Sequence, residues 1–357
     1  MKKKTRDKII VVSDVHIGDG RSFHKDYPSH PYEWLSLEER QRFLDFLRYL
    51  EKREDVKELV LLGDIFETWL CPIDEIPPTP EDILTAEVNQ RILNKLDNLY
   101  GHHGIKVSYI TGNHDMSFHP PVIMKYFHDI SCAPSRHRGN IFMQHGHQHS
   151  MFNAPDPVND LDDSMLPLGY YMSRVVATRK AHTNEPHVKD PWGYFDDVLE
   201  SLGPETLASC VWEAVLEECC IPEMAKIVMS KDREIGVGEV RFRYQNLFKQ
   251  WVKLYGLGEA ARGVLAETGH LGMIADRICR KSKDINIVVL GHSHRPCVDL
   301  DRWPIHDRIY ANPGAWVGSK AHFLELEVTK TRDSVRLYQW QDRQSRPKLI
   351  KKATLIR

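Results

Sequence analysis

Over the first third of the chain, short apolar runs alternate with stretches in which apolar positions recur every three or four residues. That alternation predicts the strands and crossover helices of a wound α/β sheet. The run at 9–12 predicts the first strand, and Ser36 with Glu39 forms a capping box ahead of Phe43, Leu47 and Leu50 at helical spacing. Residues 58–62 predict the next strand. After a proline-rich loop at 72–80, Leu84, Val88, Ile92, Leu96 and Leu99 predict a second helix that stops near Gly101 and Gly104. Residues 105–110, 140–144 and 286–290 predict three more strands. Toward the end of the chain 309–311, 321–328 and 335–341 read as antiparallel strands, and the basic run 346–352 as a solvated end.

Between 161 and 283 no strand pattern is evident, and the segment reads as several helices inserted between two strands of the core. Leu207, Cys210, Val211, Ala214 and Val215 share one helical face; Tyr244, Leu247, Phe248, Trp251, Val252 and Tyr255 share another, in a helix that Gly256 would end. Val264, Leu265, Leu271, Ile274, Ala275 and Ile278 make a third. These stripes are expected to form the inserted segment's own core.

Composition narrows the classes. With 41% hydrophobic and 27% charged residues the chain of 357 residues is expected to fold as a globular protein. The formal charge of -2 gives no global basic excess, which disfavours a nucleic-acid partner. The longest apolar runs are strand length, far short of the roughly 20 residues of a membrane span. The basic start at 1–8 leads into a short apolar run and then Ser13-Asp14, so no secretory signal is expected. Seven cysteines without a C-x-x-C pair point to a reducing compartment, and cytoplasmic localisation is expected.

The unusual figure is 19 histidines, several of them directly after the predicted strands. Ser13-Asp14-Val15-His16 follows the first strand and Gly63-Asp64 the second. Gly112-Asn113-His114-Asp115 follows the third, His145-Gly146-His147 the fourth, and Gly291-His292-Ser293-His294 the fifth. Strand ends in such sheets converge on one edge, so these groups are expected to meet. Asp14, His16, Asp64, Asn113, His145, His292 and His294 supply seven oxygen and nitrogen donors, enough for two cations about 3.5 to 4 Å apart if one carboxylate bridges. The single residue between Asp14 and His16, and between His292 and His294, would put both members of each pair on one side of an extended segment. The glycines before Asp64, Asn113 and His292 suit sharp turns where a side chain would crowd the site.

In order, these blocks spell D-x-H, G-D, G-N-H-[DE], a lone H and G-H-x-H, and the chain resembles the calcineurin-type dinuclear metallophosphoesterases over about 7–160 and 284–345. The resemblance implies an α/β fold, a four-layer α/β/β/α sandwich with an inserted helical cap, the core being 1–160 and 284–357 and the cap 161–283. It also implies that Asp14, His16, Asp64 and His294 hold one metal and Asp64, Asn113, His145 and His292 the other, with Asp64 bridging. Two divalent or trivalent ions are expected, Mn first and Fe or Zn as the others, since imidazole-rich sets disfavour Mg and Ca. Such a pair neutralises phosphoryl oxygens and supplies a bridging hydroxide for in-line attack on phosphorus. His114 would stabilise the transition state or protonate the leaving group, with Asp115 fixing its tautomer, while His147 and His149 are candidates for substrate contact.

The blocks at 63–69 and 291–296 are also similar to those of the bacterial UDP-2,3-diacylglucosamine hydrolases, which cleave a pyrophosphate and carry a helical cap. Those enzymes have arginine where this chain has His114, and a histidine can shuttle protons where an arginine cannot. The reading is therefore a phosphomonoesterase or phosphodiesterase of a small or nucleotide-like phosphorylated substrate. A lipid-linked nucleotide pyrophosphatase and a non-catalytic metal-binding scaffold are the alternatives. Asn312-Pro313-Gly314 resembles a segment that shapes the site wall in the wider family, and Arg174, Arg179, Lys180 and His182 are candidates for phosphate contacts from the cap side.

Overall fold

The computed structural model describes residues 6–27, 29–159, 164–183, 206–267, 269–301, 307–341 and 347–356. Its first half runs β1 (Lys8–Val12), α1 (Leu37–Glu51), β2 (Val56–Leu62), α2 (Pro80–Thr85), α3 (Gln90–His103), β3 (Lys106–Ile110), α4 (Pro120–Tyr126), β4 (Ile130–Ala133), β5 (Ser135–Arg138) and β6 (Ile141–Gln144). The Ser36 capping box is formed: Ser36 Oγ accepts from the Glu39 N–H and the Glu39 carboxylate from the Ser36 N–H. Then come α5 (Leu168–His182), α6 (Leu207–Glu218), β7 (Lys226–Ser230), β8 (Arg233–Gly236), α7 (Val237–Tyr244), α8 (Leu247–Tyr255), α9 (Leu257–Glu267) and α10 (Gly272–Lys281). The chain closes with β9 (Ile287–Leu290), β10 (Cys297–Asp301), β11 (Arg308–Asn312), β12 (Ala321–Val328), β13 (Arg332–Trp340) and β14 (Lys348–Ile356).

Two sheets face each other. Among the described residues one has the order β14-β13-β12-β1-β2-β3-β4 and the other β10-β11-β9-β6-β5. The continuous apolar runs are explained by burial on both faces. Ile9 and Val11 of β1 point between the sheets, where they join Ile141 and Met143 of β6 and Ile287 and Val289 of β9. Ile10 and Val12 point the other way, against Phe43 and Leu47 of α1 and the α3 residues Ile92 and Leu96. On the far side Val288 and Leu290 of β9 pack on Ile274 and Ala275 of α10. The result is the four-layer α/β/β/α sandwich.

The intervening helices have their own core, in which Val175, Val211, Trp212 and Tyr244 meet Trp69, Met151 and Phe152 from loops of the sandwich. This segment, expected to be mostly helical and without a strand pattern, also contains the hairpin β7–β8. α10, which the sequence places in the same segment, forms the outer layer over β9 and β11. Residue 161, the expected start of the cap, lies outside the described residues. The basic run 346–352 was expected as a solvated end; from 348 on it belongs to the edge strand β14, whose lysines face solvent while Ala353 and Leu355 are buried. Residue 346 lies outside the described residues. Among the described residues no helix is long and apolar enough to cross a membrane.

Candidate metal centre

β1, β2, β3, β6 and β9 each deliver their polar block within two residues of their last residue. Parallel pairing of β1 with β2, of β2 with β3, and of β6 with β9 puts those ends on one edge. The loops are tied together: Asp14 N–H donates to the Gly63 carbonyl at 3.1 Å and His16 N–H to the Asp64 carbonyl at 2.9 Å. The extended geometry expected for the D-x-H and H-x-H pairs is not what forms. Asp14, His16, Asp64, His292 and His294 have φ values of 55°, 55°, 51°, 65° and 55°, in the left-handed region that L residues enter at a cost. Sharp turns directly after the strands, rather than strand continuation, aim these side chains inward. Close approach also explains two glycines: a Cβ on Gly63 would lie 2.4 Å from the His145 ring, and one on Gly112 2.1 Å from Asp64 Oδ1.

The donors converge in three groups, two of which are linked by the third, His16, Asp64 and His114. Atoms of Asp14, His16 and His294 lie within 4.8 Å of one another, as do atoms of Asp64, His145 and His292. His294 Nε2 is 3.2 Å from Asp14 Oδ1, and His145 Nε2 is 3.1 Å from Asp64 Oδ2. His145 Nδ1 bonds the Leu62 carbonyl at 2.8 Å, which turns the lone pair of Nε2 toward the centre. Asn113 Nδ2 donates to Asn153 Oδ1 at 3.3 Å, which turns Asn113 Oδ1 inward. Asn113 Oδ1 is buried without a hydrogen-bond partner, and Asp14 Oδ1 and His145 Nε2 have only the ion-pair contacts just named, a costly arrangement that a cation would relieve. The donor set fits metal ions. Burial alone would raise the Asp64 carboxyl, but His145 and His114 outweigh it and hold Asp64 well below the usual carboxylate range.

His114 lies beside this centre, its backbone N–H donating to Asp64 Oδ1 at 2.8 Å. Its tautomer is not set by Asp115, as the sequence suggested. Asp115 is consumed by the backbone: its carboxylate accepts from the N–H groups of Gly112, Ile65 and Phe66 and braces the two turns that carry Asp64 and Asn113. Burial and the Asp64 charge push its pKa up to about 6. Glu67 takes the orienting role, with Oε1 2.9 Å from His114 Nδ1 and Oε2 2.7 Å from His16 Nδ1. Burial opposes the Glu67 charge, but His114 and His16 bring its pKa down to about 2. The only sequence sign of Glu67 was its place in the block at 63–69.

A cavity of about 360 Å³ opens over the centre between sandwich and inserted helices. Trp34, Asp64, Asn113, His114, Asn153, His292, His294 and Arg295 line it from the sandwich and Val176, Lys180 and Glu267 from the helices. The weaker sequence candidates fare differently. Arg174 is fully buried and donates to the carbonyls of Cys71, Pro72, Glu75 and Val228, so it anchors α5 to the sandwich and does not border the cavity. Arg179 points to Cys220 Sγ at 3.6 Å, away from the cavity lining. His149 bonds Gln144, and His147 is buried behind His145 with ring centroids 5.3 Å apart. Neither borders the cavity. Asn153 and Glu267 carried no sequence signal, because their hydrogen bond joins residues far apart in the chain.

A family model described as calcineurin-like phosphoesterase matches residues 7–296. No curated protein matches the chain. Among solved structures, vacuolar protein sorting 29 from Cryptosporidium parvum is similar at 12% identity over 98% of each chain, with a TM-score of 0.36. A dimetal phosphatase from Danio rerio is similar at 11% identity over 99% of each chain, with a TM-score of 0.40. Likenesses of this size carry no argument about the site.

Proposed function

Because the chain belongs to the calcineurin-like phosphoesterase family, we propose that it is a metal-dependent hydrolase of phosphate esters on a small or nucleotide-like substrate. The observation that carries the reading is the convergence of seven ligand-type side chains on one edge, with Asn113 Oδ1 buried among them without a hydrogen-bond partner. In this reading Asp14, His16, Asp64 and His294 hold one ion and Asp64, Asn113, His145 and His292 the other, with Mn the expected metal. When bound, two such ions neutralise phosphoryl charge and activate water. The chain's own residues do the rest. Glu67 holds the Nδ1–H of His114, and although burial opposes it the Glu67 and Asp64 charges favour the imidazolium, so that His114 Nε2–H would give its proton to the leaving oxygen and leave a neutral ring. Trp34 and Trp69 flank the His114 ring at 5.2 and 4.4 Å between centroids and restrict its rotation. A cavity of about 360 Å³ suits a small ligand.

The test is hydrolysis of p-nitrophenyl phosphate and bis-p-nitrophenyl phosphate by chelator-treated protein with Mn added back. Metal-dependent release supports the hydrolase; no release from protein with both ions bound removes the weight from it.

One observation favours a second reading, a pyrophosphatase of a lipid-linked nucleotide. Leu254, Tyr255 and Leu257 are exposed together at the turn between α8 and α9. Cleavage of an acylated nucleotide diphosphate by protein that leaves both nitrophenyl esters intact would select it.

A further inference from the structure

Lys180 is a cation in the cavity wall that, among the described residues, has no carboxylate within ion-pair contact. It lies in the last turn of α5, half-buried, and its Nζ donates to the Tyr32 carbonyl at 3.0 Å. Among the described residues no carboxylate pairs with it. An ammonium has three donors, so a single neutral acceptor leaves it under-satisfied where water is partly withdrawn. Burial accordingly pulls its pKa below the usual lysine value, with Glu39 and Glu33 opposing that only in part. Val176, one turn earlier on the same helix, borders the same cavity, and Asp64, His114 and His294 border it from the sandwich.

We propose that Lys180 is an anion-binding residue for a substrate phosphoryl group and that it selects phosphomonoesters over diesters. The inference rests on the hydrolase reading and deepens it. A phosphomonoester carries about -1.5 to -2 charges near pH 7, whereas a diester carries a single one. A cationic wall facing a metal-binding floor matches the ligand with the greater charge, and the ammonium gains the charge-assisted partner that the fold withholds. A purely structural role would be different in kind. Lys180 would then only hold the Tyr32 to Trp34 segment against α5, a junction that the His30 N–H to Ala181 carbonyl bond at 2.9 Å also makes.

The experiment compares full-length, Mn-loaded wild type with Lys180→Met and Lys180→Arg. Lys180→Gln, which keeps a donor for the Tyr32 carbonyl and removes the charge, replaces Lys180→Met should that variant fail to fold. The readouts are kcat/KM for p-nitrophenyl phosphate and for bis-p-nitrophenyl phosphate, and the Kd of inorganic phosphate by calorimetry. The expected result is a monoester-to-diester ratio lowered about tenfold or more, a phosphate Kd raised by a similar factor, and partial recovery in Lys180→Arg. Equal losses on both esters, or an unchanged phosphate Kd, would overturn the proposal. Phosphate binding that depends on Lys180 in a protein that cleaves neither ester would retain this site and remove the hydrolase reading. Hydrolysis with phosphate binding indifferent to Lys180 would do the reverse.

Discussion

Glu67 Oε1 lies 2.9 Å from His114 Nδ1, and this one contact decides which nitrogen of His114 faces the cavity. The other carboxylate oxygen serves His16, a proposed metal ligand, at 2.7 Å, so a single buried group orients both rings. Glu67→Gln keeps the shape but presents an amide N–H to one of the two imidazoles. We expect kcat and metal affinity to fall together, each by about 10- to 100-fold, as measured by steady-state kinetics and metal titration. His114→Ala separates the two effects: turnover should fall about 10²- to 10⁴-fold with metal content retained. Full activity of His114→Ala would remove its proposed role.

Asp64 is the junction of the site. His145 Nε2 approaches its Oδ2 at 3.1 Å while the His114 N–H binds its Oδ1, and its own backbone carbonyl receives the N–H groups of Val15 and His16. Asp64→Asn leaves the backbone bonds and removes the charge that a bridging position needs. Metal analysis should find about two ions per chain in wild type and fewer in the variant, with phosphoesterase activity lost. A variant that retains both ions would exclude Asp64 as the bridge.

Asn113 depends on a neighbour that no motif marks. Asn153 Oδ1 accepts from Asn113 Nδ2, and Asn153 Nδ2 is held in turn by Glu267 at 3.0 Å. Without Asn153 the Asn113 carboxamide is free to rotate and offer its nitrogen to the centre. Asn153→Ala should therefore weaken one of the two metal-binding steps by about 10- to 100-fold and spare the other, which a two-phase calorimetric titration resolves.

What the sequence made legible follows from where the signals are local. Apolar runs buried on both faces, such as 9–12, and the Ser36–Glu39 cap are written in neighbouring residues, and the strands and helix they predict form. The seven donors were equally legible because each lies within four residues of a strand end. Edge strands escaped: β5 reads Ser-Arg-His-Arg, and β14 opens on lysines, because an edge faces water. The left-handed turns at Asp14 and His294 escaped for another reason. Their strain is sustained by contacts from distant segments, such as the Gly63 carbonyl, and spacing carries no trace of them. Partner choice behaved likewise, since Asp115 and Glu67 are both acidic neighbours of the site and only the fold assigns one to the backbone and the other to His114.

Glu267 gives the inserted helices a pH-dependent hold on the sandwich. It ends α9, is buried, and accepts from Ser150 Oγ, the Phe152 N–H and Asn153 Nδ2. Burial raises its pKa from 4.5 to about 7, an effect its three hydrogen bonds only partly offset. The folded protein thus binds the Glu267 proton more tightly than the unfolded chain does. This group's contribution to stability is full below pH 4.5 and is lost as pH rises to about 7, a loss on the order of 3 kcal/mol. Glu267→Gln cannot ionise and should lose less stability than wild type between pH 4.5 and 8, whatever its absolute stability. Denaturant unfolding of both proteins across that range measures the difference in slope. Parallel curves would mean that Glu267 stays ionised throughout and that its three donors outweigh its burial.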